Sequence, residues 1–247
     1  GAPTAVTAFI SVGPKAVGFA VLLRIFSSCF SPLYADWAQL MMLISIFTMT
    51  IGNVIAISQT NIKRMLAYSS IAQAGYMLIG FVAGSDSGME GVLYYILAYA
   101  LMNLGAFGCV ILVSNSIRSD AIEDYAGLHK KDPVTAFMLS VFLLSLVGVP
   151  PLAGFWGKFL VFNAAIQSNF ILLAIAGVVN SIIAAYYYMR VIKFMYLDEP
   201  RVKDAGPGSV PLQIVLAVVM AGMLIAGIYL NPFLNWVRVS QFFLAQQ

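Results

Sequence analysis

The stretch GVPPLAGFWGK, residues 148–158, interrupts a hydrophobic run that extends from residue 134 to residue 166. A proline removes a backbone N–H donor and its ring clashes with the preceding helical turn, so the tandem Pro150 and Pro151 predict a break in any helix formed here. Within a bilayer, such a break is tolerated only where it is buried in protein or lines a wet cavity. Broken helices are typical of transporters, in which they lie beside the ion path, although a packing kink is the simpler alternative.

The composition outside this stretch places the chain in a membrane. Of its 247 residues, 61% are hydrophobic and only 9% are charged, whereas soluble domains have about 45–50% and about 25%. These values argue against a soluble enzyme and against a disordered chain. The net charge of +3 is too small to indicate nucleic-acid binding. We therefore predict an all-α, polytopic membrane helix bundle that contains one helix broken by Pro150 and Pro151.

Seven segments are long and apolar enough to cross a bilayer, which requires about 20 residues per helix. They span residues 4–26, 37–58, 62–83, 91–114, 134–166, 170–196 and 210–230. The loop 116–133 is predicted to contain a short surface helix, and residues 231–247 are predicted to form an interfacial amphipathic segment.

The basic residues are distributed unequally between the two sides of the predicted bundle. Side one receives nine of them, namely Lys63, Arg64, Arg118, Lys130, Lys131, Arg190, Lys193, Arg201 and Lys203. Side two receives only Arg24 and Arg238. Because cytoplasmic loops carry an excess of Lys and Arg, side one is predicted to be cytoplasmic, and the chain enters the membrane from that side.

Few side chains are available for cofactor binding. Two cysteines, Cys29 and Cys109, and one histidine, His129, are too few for a zinc, paired-haem or iron–sulfur site. No Gly-rich nucleotide-binding motif occurs in the sequence. We predict that the chain works without a metal or nucleotide of its own.

Lys15 and Lys158 are the two ionisable residues expected within the hydrocarbon region, because all ten acidic residues lie in loops or at helix ends. Lys15 is about eleven residues from either end of its segment, roughly 16 Å, which is too far for its side chain to reach the surface. A charge at this depth costs at least about 2.5–3.5 kcal/mol. Since desolvation disfavours the charged form of an amine, such a lysine is suited to load and release a proton. A structural lysine that donates to backbone carbonyls is the alternative.

Other polar residues at membrane depth are candidates for a hydrated path between the lysines, although each of them could simply bond a neighbouring helix. They are Ser69, Ser70, Gln73, Tyr94, Tyr99, Asn103, Ser140, Ser145, Asn180 and Ser181. The run Tyr186-Tyr187-Tyr188, followed by Arg190 and Lys193, is interpreted as an anchor at the cytoplasmic interface.

Three motifs distinguish this sequence from those of other membrane helix bundles. They are QTNIKRMLAYSSI at residues 59–71, DYAGL at 124–128 and PPLAGFWGK at 150–158. Together they resemble the antiporter-like membrane subunits of proton-pumping NADH–quinone oxidoreductase, respiratory complex I. Within that family the pattern is most similar to subunit N (subunit 2) and to its counterpart in the related photosynthetic NDH-1 complex. Lysine at position 158, where subunit M resembles it with glutamate, supports subunit N.

The resemblance implies a fourteen-helix subunit built from two inverted five-helix repeats, of which this chain holds helices eight to fourteen. Residues 1–26 would be the last helix of the first repeat, 37–196 the complete second repeat, and 197–247 the C-terminal helix and tail. Gly1-Ala2-Pro3-Thr4, without an initiator methionine, fits a chain that is the later part of a longer protein.

By the same resemblance, Lys15 and Lys158 match the family's proton-carrying lysines, and Pro150, Pro151 and Gly154 form its helix break. Pro14, directly before Lys15, departs from the family's pattern and predicts a kink. The family's glutamate–lysine pair would lie in the half that precedes this chain.

The resemblance further implies a proton-translocating subunit with no redox site of its own, in which NADH, flavin, iron–sulfur clusters and quinone bind to partner subunits. Its partners would be other membrane subunits, including sister antiporter-like subunits, and its location a bacterial plasma membrane or alternatively a thylakoid membrane. Two other functions stay open: a subunit of an Mrp-type cation/proton antiporter, and a structural spacer in which the lysines only stabilise packing.

Overall fold

The computed structural model describes residues 3–201 and 209–245, and side chains as far as residue 239. The described residues form helices joined by short loops. The helices are α1 Thr4–Ser28, α2 Tyr34–Ile57, α3 Ile62–Val82, α4 Asp86–Ile117, α5 Leu128–Lys131, α6 Pro133–Val147, α7 Ala153–Gln167, α8 Ile171–Leu197, α9 Val210–Ile228 and α10 Leu230–Ala245. Short 3-10 helices occupy Ser31–Leu33 and Ile122–Tyr125.

Six stretches of the described chain, containing α1, α2, α3, α4, α8 and α9, are each long and apolar enough to cross a membrane. The broken pair α6 and α7 together covers the remaining predicted segment, residues 134–166. The prediction of an all-α, multi-pass membrane bundle is therefore confirmed, with the predicted spans shifted by a few residues at their ends.

The helix break lies where the tandem prolines predicted it. α6 ends at Val147, and Gly148 follows in a left-handed conformation with φ of 97°. α7 begins at Ala153. Glycine suits position 148 because other residues are strained at such a φ.

α4 lies at the centre of the bundle and contacts α1, α3, α6, α7, α9 and α10. α3 is also largely buried, whereas α1, α2 and α9 expose most of their apolar side chains. Phe9, Phe47 and Val218 are examples of such outward-facing residues. This arrangement is expected in a bilayer, where lipid chains solvate apolar surfaces and the buried interior can hold polar groups.

The loops on side one are joined to each other. The Ile62 N–H donates to the Asp120 carbonyl (2.9 Å), and the Ile122 N–H donates to the Thr60 carbonyl (2.8 Å). Lys63 Nζ lies 2.7 Å from Asp120 Oδ1. Partial burial opposes ionisation of Asp120, but its contacts with Lys63 and Ser114 hold the pKa of this carboxyl below its ordinary value.

Side two has its own contacts. Tyr34 OH donates to the Val82 carbonyl (2.8 Å), and Arg238 Nε donates to Glu90 Oε1 (2.9 Å). The second bond ties α10 to the start of α4, with Val237 turned inward and Trp236 70% exposed. The segment predicted to be an interfacial tail is helical as far as Ala245, the last residue of α10. Gly1, Ala2, Lys203 and residues 246–247, which also entered the predictions from sequence, lie outside the described residues.

The predicted surface helix of the loop 116–133 is shorter than a normal helix. It consists of the 3-10 turn Ile122–Tyr125 and the single α-turn α5. The Gly127 N–H donates to the Phe194 carbonyl (3.0 Å), and His129 Nδ1 lies 2.8 Å from the Met195 carbonyl. These two contacts hold the loop against the side-one end of α8.

Candidate functional site

Lys15 projects from the middle of α1 toward α3 and α4. Its Nζ donates to the Ser70 carbonyl (2.5 Å), to Ser70 Oγ (2.9 Å) and to Tyr99 OH (3.4 Å). The same ammonium lies 4.6 Å from the centroid of the Tyr99 ring. α1 continues as one helix through Pro14. The Lys15 side chain is therefore held among hydroxyl, carbonyl and aromatic groups inside the bundle.

Lys158 lies on the second turn of α7 and is 5% exposed. Its Nζ donates to the Val147 carbonyl at the end of α6 (2.8 Å). It also lies 4.5 Å from the centroid of the Tyr76 ring of α3. A carbonyl oxygen and the face of an aromatic ring are both favourable partners for a positive charge.

The tandem prolines explain why these carbonyls are free to accept. In a continuous helix the N–H groups of residues 150 and 151 would donate to the carbonyls of Leu146 and Val147, but proline has no N–H. Gln73 Nε2 donates to the Leu146 carbonyl (3.2 Å), just as Lys158 donates to that of Val147. Each backbone acceptor released by a proline is thus bonded to a side chain.

Ser145 of α6 and Gly154 of α7 join the two helices directly across the break. The Gly154 N–H donates to Ser145 Oγ (3.1 Å). A Cβ atom at position 154 would lie 1.8 Å from the Ser145 carbonyl oxygen. Only glycine permits this approach of α7 to α6, so the break requires both its prolines and Gly154.

α3 connects the two lysines. Ser70 contacts Lys15 and Tyr76 contacts Lys158, six residues apart, which is about 9 Å along a helix axis. Gln73 lies between them, and its Oε1 accepts a hydrogen bond from Tyr95 OH (2.5 Å). Ser70, Gln73 and Tyr76 of α3 therefore form a row of polar side chains from one lysine to the other.

The structure brings together only some of the predicted polar residues. Ser70, Tyr99, Gln73 and Ser145 lie at the lysines or at the break, and Asn103 donates to Ser11 Oγ of α1 (2.7 Å). Ser69 and Ser140 donate to carbonyls of their own helices, those of Leu66 and Ala136. Tyr94 OH donates to the Ala226 carbonyl of α9 (2.9 Å) and so joins two helices away from the lysines.

Asn180 belongs to a second polar group that was not predicted from the sequence. This group, the Asn53 cluster, contains Asn53, Tyr76, Asn180, Tyr187 and Thr50. Asn53 Nδ2 donates to Tyr76 OH (3.1 Å) and to Asn180 Oδ1 (3.1 Å), and Tyr187 OH donates to Asn53 Oδ1 (2.9 Å). Asn180 Nδ2 donates to Thr50 Oγ1 (3.2 Å). Because the Tyr76 ring also contacts the Lys158 ammonium, the cluster lies next to the lysine site.

The interpretation of Tyr186-Tyr187-Tyr188 as an interface anchor is wrong for two of its three residues. Tyr186 is exposed, but Tyr187 and Tyr188 are fully buried. Tyr187 lies seven residues after Asn180, on the same helical face, and that spacing was the signal available in the sequence. The Tyr188 hydroxyl has no hydrogen-bond partner among the described residues and faces Ser69 and Gln73.

A 360 Å³ cavity beside Lys158 opens between α7 and α8. Its walls are almost entirely apolar, with Phe155, Phe159, Phe162 and Ile182 among them, and Ser181 is the second polar residue in its lining. The ion pairs Lys63–Asp120, Lys130–Glu199, Arg201–Glu123 and Arg238–Glu90 lie at the ends of the helices, away from this cavity. Among the side chains of residues 3–201 and 209–239, no group of three or more His, Cys, Asp or Glu is placed to hold a metal ion.

Most of the chain matches the model of a known protein family. The family is described as "NADH:quinone oxidoreductase/Mrp antiporter, TM", and the match covers residues 1–184. That range includes both lysines, the helix break and the Asn53 cluster apart from Tyr187, which follows the matched region.

Two curated relatives have closely similar sequences. The NADH-quinone oxidoreductase subunit N of Trichlorobacter lovleyi is 47% identical over 240 residues, which are 96% of this chain and 49% of that protein. The NAD(P)H-quinone oxidoreductase subunit 2 of a Synechocystis strain is 45% identical, over 95% of this chain and 47% of that protein. The chain thus spans about half the length of these curated relatives.

A solved structure agrees with the sequence comparison. A chain of the respiratory complex I of Thermus thermophilus superposes with a TM-score of 0.81 and 31% identity, over 95% of this chain and 52% of that chain. The resemblance found in the sequence motifs is therefore confirmed for both sequence and fold.

Proposed function

From the premise that this chain belongs to the NADH:quinone oxidoreductase/Mrp antiporter transmembrane family, we propose that it is part of a proton-translocating membrane subunit of an NADH–quinone oxidoreductase. The redox chemistry that drives translocation takes place in other subunits of that enzyme. In this chain, Lys15 and Lys158 carry the protons.

The observation that supports the proposal most directly is the placement of the two lysines along α3. Each ammonium is inside the bundle, and neither takes part in an ion pair with a carboxylate of residues 3–201 and 209–239. A charge at membrane depth is costly, so it marks a functional site more often than a packing device. The hydroxyls of Ser70 and Tyr99 at Lys15, of Tyr95 and of Tyr188 can accept and donate protons, whereas Gln73 holds Tyr95 in place and relays no proton itself.

Both lysines contact a backbone carbonyl and an aromatic ring, which favour the ammonium, and Lys15 is additionally bonded to hydroxyls. Ser70 Oγ and Tyr99 OH at Lys15 can each accept from an ammonium or donate to a neutral amine. The Val147 carbonyl and the Tyr76 ring at Lys158 favour the ammonium. Lys15 therefore has hydrogen-bond partners in both protonation states, whereas Lys158 is better suited to retain a proton until another charge or a conformational change displaces it.

The remaining assignments follow from the same proposal. NADH, flavin, iron–sulfur clusters and quinone bind to partner subunits and not to this chain. The partners include other membrane subunits, among them sister antiporter-like subunits. Residues 37–196 form one complete five-helix repeat, preceded by the last helix of another. The complex lies in a bacterial plasma membrane, or in a thylakoid membrane if the closer functional counterpart is the cyanobacterial relative.

A cation/proton antiporter of the Mrp type is the second candidate, because the family description includes such proteins. The two curated relatives named above are both quinone oxidoreductase subunits, which favours the first candidate. Purification of the complex distinguishes them, since a redox arm co-purifies in the first case and further antiporter subunits in the second.

Substitution of Lys158 tests the proposal. In the full-length subunit within its complex, Lys158→Ala is expected to abolish or strongly reduce proton translocation, while the complex itself still assembles. Lys158→Arg is expected to impair it as well, because arginine stays charged at any accessible pH. Translocation is measured as NADH-driven acidification in membrane vesicles. Lys193→Ala, at an exposed position on α8, is the matched control and should leave translocation unchanged.

Two results would contradict the proposal. Full translocation by the arginine variant would mean that only a fixed positive charge is needed at position 158. Full translocation by Lys158→Ala would refute its role as a proton carrier and, if Lys15→Ala also translocated fully, would make the chain a structural spacer.

A further inference from the structure

Asn53, on α2, forms hydrogen bonds to residues of both α3 and α8. It is fully buried, as are Tyr76 and Tyr187. Its Nδ2 faces Tyr76 OH, Asn180 Oδ1 and the Asn180 carbonyl (3.2 Å), and its Oδ1 accepts from Tyr187 OH. Asn53 therefore stands between the two tyrosine hydroxyls.

The Asn180 backbone carbonyl fixes the orientation of this amide. A carbonyl oxygen only accepts hydrogen bonds, so the Asn53 atom facing it must be the nitrogen. Rotation of the amide by half a turn would place Oδ1 against two acceptor oxygens of Asn180 and would leave buried polar groups without partners, which is costly. The nitrogen thus stays toward Tyr76 and the oxygen toward Tyr187.

The Asn53 cluster lies between Lys158 and side one. The Lys158 ammonium lies over the face of the Tyr76 ring. Tyr187 lies on α8 one turn before Arg190, which donates to the Ile57 carbonyl (3.0 Å) and to the Gln59 carbonyl at the side-one end of α2. Asn53 thus joins the hydroxyl of Tyr187, on the helix that continues to side one, to the hydroxyl of Tyr76, whose ring contacts Lys158.

A hydroxyl can relay a proton because its oxygen both accepts and donates a hydrogen bond. A carboxamide held in one orientation cannot, since its oxygen only accepts and its nitrogen only donates. We propose that Asn53 is a proton seal, a positioning residue that interrupts the hydroxyl chain between Tyr187 and Tyr76 and so prevents Lys158 from exchanging protons with side one. This inference rests on the proposed function, because a seal is needed only if Lys158 carries protons.

The seal is tested by a substitution that keeps the shape of Asn53 but gives it a transferable proton. Asn53→Asp places a second oxygen where the nitrogen was, and its protonated form can donate and accept. Asn53→Leu is the matched control, since leucine has the same branched arrangement of side-chain heavy atoms and carries no transferable proton. The third variant combines Asn53→Asp with Lys158→Met. All are made in the full-length subunit within its complex, in membrane vesicles without NADH.

The readout is the decay of an imposed pH gradient. Asn53→Asp is expected to accelerate the decay due to the complex by about tenfold, which corresponds to lowering one barrier by about 1.4 kcal/mol. Asn53→Leu should decay at the wild-type rate, and the double variant should return to it. Equal leaks in the aspartate and leucine variants, a leak that persists in the double variant, or no leak in the aspartate variant would each overturn the seal. Since no NADH is present, these outcomes are separate from a failure of Lys158→Ala to stop pumping, which would refute the proposed function itself.

Discussion

Lys15 and Lys158 are the residues at which the sequence carries the clearest chemical signal, because a lysine in an otherwise apolar span has few physical explanations. Their positions were predicted from the sequence, but their partners were not. Lys15 meets hydroxyls of α3 and α4, and Lys158 meets a backbone carbonyl released by Pro151. Which partner a lysine finds depends on helix packing, and no local pattern encodes it. That difference in partners is what gives the two lysines different proposed roles.

Lys15→Met is the residue-scale prediction. Methionine has a similar length but carries no proton, and it leaves Ser70 Oγ and Tyr99 OH without their ammonium donor. We expect at least a tenfold loss of NADH-driven proton translocation, since loss of a positioned proton-transfer group commonly costs about 10²–10⁴-fold. The measurement is the rate of acidification in vesicles at equal amounts of assembled complex. Lys193→Met is the control, and unchanged translocation in the Lys15 variant would make this lysine structural.

At the scale of elements, the helix break is the feature that sequence and structure describe in the same way. Tandem prolines must interrupt a helix, so residues 148–152 could be predicted without knowledge of the fold. The burial of two tyrosines of α8 was not predicted, because a tyrosine near a helix end is ordinarily an interface anchor. Tyr187 and Tyr188 are instead buried against α2 and α3. The positions of helix breaks and buried charges can thus be predicted from the sequence. Polar contacts between helices cannot, because they depend on the rotation of each helix.

The element-scale prediction concerns the contact between α6 and α7. Gly154→Ala places a methyl group 1.8 Å from the Ser145 carbonyl oxygen, so α7 must move away from α6. Overpacking of this kind costs about 1–3 kcal/mol or more, and we expect a lower melting temperature of the purified complex together with reduced translocation. Gly222→Ala in α9 is the control, since no atom lies within 4 Å of its Cβ position. Equal melting temperatures for the two variants would show that the break tolerates displacement.

At the scale of the whole molecule, two polar surfaces enclose a bundle whose charged residues are sorted by side. The Lys63–Asp120 and Arg201–Glu123 pairs lie on side one, and the Arg238–Glu90 pair lies on side two. This separation agrees with the unequal distribution of basic residues in the sequence, from which side one is predicted to be cytoplasmic. The sidedness matters for the mechanism, because the proposed seal at Asn53 would then close the cytoplasmic approach to Lys158.

Cysteine labelling tests this orientation with a residue already in the chain. Cys29, at the side-two end of α1, is exposed, whereas Cys109 is buried. In a full-length subunit whose other accessible cysteines are replaced, a membrane-impermeant maleimide should label Cys29 in right-side-out vesicles and not in inverted ones. A second variant, Arg201→Cys in a Cys29→Ser background, should show the reverse pattern, because position 201 is exposed on side one. Labelling of both positions from one face would contradict the topology, and labelling of Cys29 only in inverted vesicles would reverse it, moving the proposed seal to the opposite side of the membrane from the cytoplasm.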